Sequence, residues 1–310
     1  MRSIGFDNIQ VTGELHHRAS INFDRLERQE YQVPAVLRSV DGTDYEWPGD
    51  FEGRAILGIV MLAQAIHREP KYLADIMDGL SKSLNKDGYL GHLIKDGIAD
   101  EQQISGHSWL LRGLCEYYLW TKDAAILNYI KSITENLMLP AQKNYSNYPF
   151  KPEQRIFQGE AIGSIVENVQ NGWLTSTDIG CAFIAFDGIT QAYQILKDDK
   201  IKCLVDTMIE SFKQIDIVGI SFQTHATLSA CRGILRYYEL TGEKSLLELV
   251  QKLYNLYKSE AMTENYANAN WFGRPEWTEP CAIIDSFILA VGLWKHTGNP
   301  ACLEDAHHIY

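Results

Sequence analysis

Glu279-Pro280-Cys281 sets a carboxylate and a thiol two residues apart, which is half of a possible metal site. The same stretch reads equally as the start of a helix at Thr278 to Pro280, since proline is tolerated in a first turn. Elsewhere, polar groups able to do chemistry gather in short clusters. Trp47, Asp50 and Glu52 form one, Gln103, His107 and Trp109 another, and Asp178 and His225 stand alone before apolar runs. Glu264 and Trp271 fall in an Asn-rich loop, Met262 to Arg274. A carboxylic acid with a second carboxylate or nucleophile is what glycoside hydrolysis requires, so Glu264 with Asp178, or Asp50 with Asp178, is a candidate catalytic pair. Indoles stack on sugar rings and imidazoles, amides and carboxylates bind hydroxyls, which makes Trp47, Trp109, Trp271, Glu52, Gln103, His107 and His225 candidate substrate contacts. Each also has a structural use: Asp178 can cap a helix, and either histidine can be a hydrogen-bonded core residue.

The elements that position these residues repeat. An apolar helix, a short polar turn and a second, more charged helix recur five times, in copies beginning at Arg54, His107, Cys181, His225 and Cys281. In the second copy Leu110, Leu111, Leu114 and Tyr118 keep helical spacing, as do Ile284, Ile288, Val291 and Trp294 in the fifth. Thr241-Gly242-Glu243 and Thr297-Gly298-Asn299 supply helix-ending glycines. A further amphipathic helix fits Gly13 to Tyr31, and a long irregular loop fits Pro140 to Asn171. Inner and outer helices in alternation predict one all-α domain over residues 1–310, an (α/α)6 toroid of six hairpins when complete, stopping at Tyr310 short of the last. An open solenoid is the alternative. In a toroid the first-helix N-termini share one mouth, and the polar clusters sit at those N-termini. Asp187 and Asp285, inside apolar inner helices, must be buried and paired or face the central cavity.

GHSWLLRGLCEYY from Gly106, THATLSACRGILRYYELTGE from Thr224 and TEPCAIIDSFILAVGLWKHTGNPACLEDAHHIY from Thr278 resemble, in that order, the β-L-arabinofuranosidases of glycoside hydrolase family 127 and their relatives. The resemblance runs from about Gly13 to Tyr310. It implies the same (α/α)6 barrel and a retaining mechanism in which a cysteine nucleophile binds zinc held by one glutamate and three cysteines. Glu279 and Cys281 match its Glu-x-Cys motif, and His107 and His225 match sugar-contacting histidines. Asp178 falls where the family has another histidine, and Glu264 falls close to the acid/base. The family's adjacent cysteine pair has no match, because no two cysteines here are neighbours. Zinc is thus the one cofactor implied, with an incomplete set of ligands.

Composition narrows the classes. With 45% hydrophobic and 22% charged residues the chain is an ordinary globular protein, and a net charge of -12 gives no basic surface for nucleic acid. No apolar run approaches the roughly 20 residues that span a bilayer, and Met1 to Phe6 lacks a signal-peptide core, so a cytoplasmic location is expected for the chain as given. The six cysteines are scattered and suggest no disulfide framework. The expected function is carbohydrate chemistry on a small-molecule sugar, first as a glycoside hydrolase. A sugar epimerase, an unsaturated-glycan hydrolase and a catalytically degenerate sugar-binding module are the alternatives.

Overall fold

A computed structural model describes residues 5–38, 47–151, 154 and 165–310. Its helices are α1 (Gly13–Leu26), α2 (Asp50–Ile66), α3 (Leu73–Ser83), α4 (Glu101–Thr121), α5 (Ala124–Ile133), the single turn α6 (Gln142–Tyr145), α7 (Ala185–Leu196), α8 (Asp199–Phe212), α9 (Thr224–Thr241), α10 (Lys244–Glu260), α11 (Pro280–Thr297) and α12 (Pro300–Ile309). The apolar helices α2, α4, α7, α9 and α11 pack side by side in that order as an inner layer. Each is backed by an amphipathic helix, and α1 lies outside α2.

Glycine sets how closely the inner helices approach. A Cβ on Gly53 of α2 would come within 2.2 Å of the Leu110 nitrogen on α4, and one on Gly233 of α9 within 2.3 Å of the Phe186 carbonyl carbon on α7. Backbone therefore packs on backbone, which draws the inner N-termini together at the mouth. Gly242 and Gly298 close α9 and α11 with φ of 73° and 69°, the left-handed geometry expected of those turns.

The described residues fill five inner and six outer positions of the toroid. At the seam, α11 does not pack along α2, and Ile284, Ile288 and Val291 of α11 are 58%, 40% and 36% exposed. No described helix is long and apolar enough to cross a membrane.

The structure refines three expectations. The Gly13–Tyr31 helix ends at Leu26 and is followed by a short helical turn at Gln29–Tyr31. The loop from Pro140 to Asn171 contains α6 and a strand, while its residues 152–153 and 155–164 lie outside the described part. A small sheet of order β1 (Ala99–Asp100), β3 (Trp173–Ser176), β2 (Ile165–Gln170) was not foreseen. Its central strand delivers the chain to Asp178. All six cysteines are free thiols.

Candidate active site

The inner N-termini converge on a cavity of about 290 Å³ lined by Trp47, Asp50, Arg54, Ser105, Asp178, Ile184, Gln223, His225, Trp277 and Glu279. A wider groove of about 920 Å³ lies between the 87–100 loop and the 136–147 segment. Most of its polar residues are exposed, and Asp100 on its floor is committed to capping α4 through the N–H groups of Gln102 and Gln103. The smaller cavity is the one where a buried carboxylate and a buried imidazole with unpartnered atoms, Asp178 and His225, come together.

Asp178 is held there by its neighbours. Glu101, buried at the start of α4, accepts the Tyr148 hydroxyl on Oε1 and the Ser176 N–H on Oε2 at 2.7 Å. Gly180 turns the chain next, with φ of 99° and no room for a Cβ against the Phe222 ring. Asp178 caps no helix, in contrast to its structural reading; the helical turn that follows starts after Gly180. Its carboxylate is buried, and Oδ1 has no hydrogen-bond partner. Burial first, then the negative charge of Glu279, pushes its pKa up to about 7, against the pull of His225.

His225 opens the first turn of α9. Its Nδ1–H donates to Asp285 Oδ2 on α11 at 2.9 Å, and Ser229 donates to the same oxygen at 2.8 Å. Nε2 is buried without a partner. Burial opposes the imidazolium, but the hydrogen bond and charge of Asp285, helped by Glu279, raise the His225 pKa above its ordinary value. Asp285 is itself held below the usual carboxylate range: burial works against ionisation and is outweighed by Arg232 and His225. Behind it, Arg232 also reaches Asp187 Oδ2 at 3.0 Å, and Arg236 and Arg112 reach Asp187 at 2.6 and 3.2 Å. Asp187 and Asp285 are thus buried and paired, forming an ionic core beneath the pocket.

Arg54 also lines the cavity. Its Nε donates to both oxygens of Asp50 at 2.9 and 3.0 Å, its Nη1 donates to Cys281 Sγ at 3.5 Å, and its guanidinium lies 4.0 Å from the centroid of Trp109. Trp109 stacks on His225, with centroids 6.0 Å apart and planes within 14°. At the rim Trp277 is 57% exposed, takes a left-handed φ of 52°, and rests against Trp271 at 6.0 Å. Glu279 occupies the cap position of α11 and accepts from Gln223 at 3.4 Å. Thr278 does not cap: its hydroxyl goes to Asn268.

No known family profile and no curated protein sequence matches the chain. Solved structures do match in shape. One is a β-arabinofuranosidase of glycoside hydrolase family 127, 14% identical with a TM-score of 0.62, over 99% of this chain and 53% of that one. The fold is an (α/α)6 toroid. A cellobiose 2-epimerase from Bacillus thermoamylovorans aligns at 12% identity and TM-score 0.59, over 94% of this chain and 86% of that one. A D-mannose isomerase aligns at 13% and 0.54, over 100% and 86%. The chain spans about half the length of the arabinofuranosidase.

Of the residues expected at the mouth of this toroid, Trp47, Asp50, Asp178, His225 and Glu279 line the cavity. His107 does not, and its expected sugar contact is corrected. It is fully buried, its Nδ1–H donates to Gln103 O at 2.8 Å and its Nε2 accepts the Leu90 N–H at 2.9 Å, so neither nitrogen is left for a ligand. Burial drives its pKa down to about 4. Gln103 is likewise turned away, its amide donating to the Leu90 and His92 carbonyls. Glu52 is fully buried and off the cavity, and Trp109 gives its faces to Arg54 and His225. Trp271 supports Trp277 from behind. Glu264 lies exposed in the turn after α10, outside the cavity, so the expected pairing with Asp178 is not formed. Sequence reasoning missed Arg54, Trp277 and Arg232. The signal available was charge: an arginine inside an apolar inner helix needs a buried partner.

The zinc implied by the resemblance meets a different donor set. His225, Glu279 and Cys281 bring one donor atom each within 4.8 Å of one another. The other five cysteines are elsewhere in the fold: Cys115, Cys181 and Cys231 in the inner core, Cys203 and Cys302 on α8 and α12. The Cys281 thiol is pushed up to about 11 by burial, although Arg54 pulls it down, and Arg54 already donates to its sulfur. The third donor is an imidazole favoured as a cation. With one cysteine in the cluster and the other five elsewhere in the fold, these residues do not fit the family's one-glutamate, three-cysteine zinc.

Proposed function

We propose that this chain is a carbohydrate-active enzyme, a glycoside hydrolase related in fold to the β-L-arabinofuranosidase-like proteins, acting on a small neutral glycan fragment. The observation that carries the reading is the pair Asp178 and Glu279 in one cavity: the charge of Glu279 helps keep Asp178 protonated up to about pH 7. One protonated carboxylic acid facing one carboxylate is the requirement of glycosidic cleavage.

A sugar ring stacks on the exposed face of Trp277, with Trp47 on the opposite rim. Asp178 gives its proton to the departing glycosidic oxygen. Glu279 acts on the anomeric carbon, directly or through a water. The Nε2–H of the His225 imidazolium donates to a ring hydroxyl, held in place by Asp285 and Trp109. Arg54 has its charge balanced by Asp50, which suits a neutral sugar better than an acidic one. No step passes through a metal.

A second reading, epimerisation or isomerisation, draws on the buried His225–Asp285 pair, since an oriented imidazole can move a proton at carbon. The resemblance in shape to a cellobiose 2-epimerase and a D-mannose isomerase also supports it. One experiment separates the two. The protein is incubated with a panel of nitrophenyl glycosides, and with free aldoses in deuterated water. Release of nitrophenol supports hydrolysis; deuterium at a sugar carbon without hydrolysis supports proton transfer. Specific sugar binding with neither outcome overturns the enzyme reading in favour of a binding module.

A further inference from the structure

We propose that Arg232 is a positioning residue for His225, acting through Asp285 without touching the pocket. The inference rests on the acid–base reading above.

His225, Ser229, Arg232 and Arg236 follow one another down α9 at helical spacing and so share one face of it. The Arg232 guanidinium holds Asp285 Oδ1 from α11 with Nη1 and Asp187 Oδ2 from α7 with Nη2. With Oδ1 taken, the Asp285 carboxylate turns Oδ2 upward, where Ser229 and the His225 Nδ1–H share it. That order of bonds fixes which nitrogen carries the inward proton and leaves Nε2 facing the cavity. Trp109 closes the arrangement from α4: its ring stacks on His225 and lies 5.7 Å from the Arg232 guanidinium. The charged groups facing the imidazole are Asp285 and Glu279 on the α11 side, Arg54 from α2, and Asp178 from the segment before α7. Arg232 is the one that contacts Asp285 from below, and it does not line the cavity.

The fork geometry makes the proposal specific. A guanidinium can bridge two carboxylates at fixed angles, whereas an ammonium supplies charge without that direction. Arg232→Lys therefore keeps the charge and loses the alignment, and Arg232→Met loses both.

The test reads the ring nitrogens of His225 by ¹⁵N NMR in the whole, ligand-free protein, assigned with His225→Gln. In the wild type the proton on Nδ1 persists across the titration. In Arg232→Met the negative charge of Asp285 is no longer opposed, so the His225 titration moves to higher pH; in Arg232→Lys the nitrogen shifts change while the titration stays close to wild type. Where a substrate is turned over, kcat falls by about 10- to 100-fold in both variants with KM little changed, a fraction of what general acid–base groups contribute. A purely structural role predicts a lower melting temperature with His225 spectra unchanged, and that outcome overturns the proposal. If Arg232→Met does not fold, the Arg232→Lys spectra decide alone. Because these spectra need no substrate, they judge Arg232 separately from the hydrolase reading, which falls only on the glycoside assays.

Discussion

His225 Nδ1 stands 2.9 Å from Asp285 Oδ2, while the other nitrogen of the same ring is buried and unpartnered at the floor of the cavity. A cavity-lining histidine anchored through one nitrogen and left unpartnered at the other is prepared for a ligand. His107, the seventh residue of α4 where His225 is the second of α9, has both nitrogens bonded to backbone. The two histidines stand at different depths of their inner helices and serve different ends.

His107 should therefore control stability. Its folded pKa of about 4 lies below the ordinary 6.5, so the neutral form is favoured by folding. Its stabilisation is complete above pH 6.5 and is lost as pH falls toward 4, on the order of 3 kcal/mol. Denaturant unfolding of the wild type and His107→Gln at pH 7 and pH 4.5 checks this: the gap between them should shrink at the lower pH. Glycosidase activity of correctly folded His107→Gln should persist.

Glu279 and Glu264 should separate cleanly. Glu279→Gln is expected to lower kcat/KM by about 10²- to 10⁴-fold, the range for a positioned acid–base group. Glu264→Gln, altered in an exposed turn, should leave it unchanged. Equal losses in both would mean that the 262–274 loop folds over the cavity in the working enzyme.

Much of the fold was legible because the helical hairpin repeats: apolar periodicity from Leu110 to Tyr118 and from Ile284 to Trp294, with Gly242 and Gly298 ending helices, is local information. The mouth was legible as a place, since Asp50, Asp178, His225 and Glu279 all precede or open inner helices. Which residues face inward was not. A carboxylate such as Glu264 and one such as Glu279 look alike in sequence, and only the fold, which puts Glu279 at the cap of α11 and Glu264 in an exposed turn, decides which reaches the cavity. Arg54 and Arg232 were missed for the same reason, because their partners Cys281, Asp285 and Asp187 come from other repeats. The sheet that presents Asp178 pairs Ala99 with Trp173, too distant in sequence and too short to leave a pattern.

Chelation should not abolish turnover. Arg54 donates to the Cys281 sulfur and His225 favours its cationic form, so the pocket already holds positive charge beside Glu279. Dialysis against a chelator is expected to leave activity intact, and added zinc should not raise the melting temperature as a ligand of the folded state would. One tightly held zinc per chain, required for activity, would contradict this.

Asp178 should cost the protein stability. Its pKa is raised by folding from 3.8 to about 7, so the cost is absent below pH 4 and grows as pH rises through 7, to the order of 4 kcal/mol. Asp178→Asn should melt at a higher temperature than wild type at pH 8 and close to it at pH 4.5, as expected where a site is kept for function rather than stability.

The most direct test is the pH dependence of kcat/KM on a cleaved nitrophenyl glycoside for wild type and Asp178→Asn. The account predicts that wild-type activity falls as pH rises through about 7, where Asp178 loses its proton, and that Asp178→Asn is about 10²- to 10⁴-fold slower with that limb gone. An Asp178→Asn enzyme with wild-type kcat/KM and the same alkaline limb would contradict it.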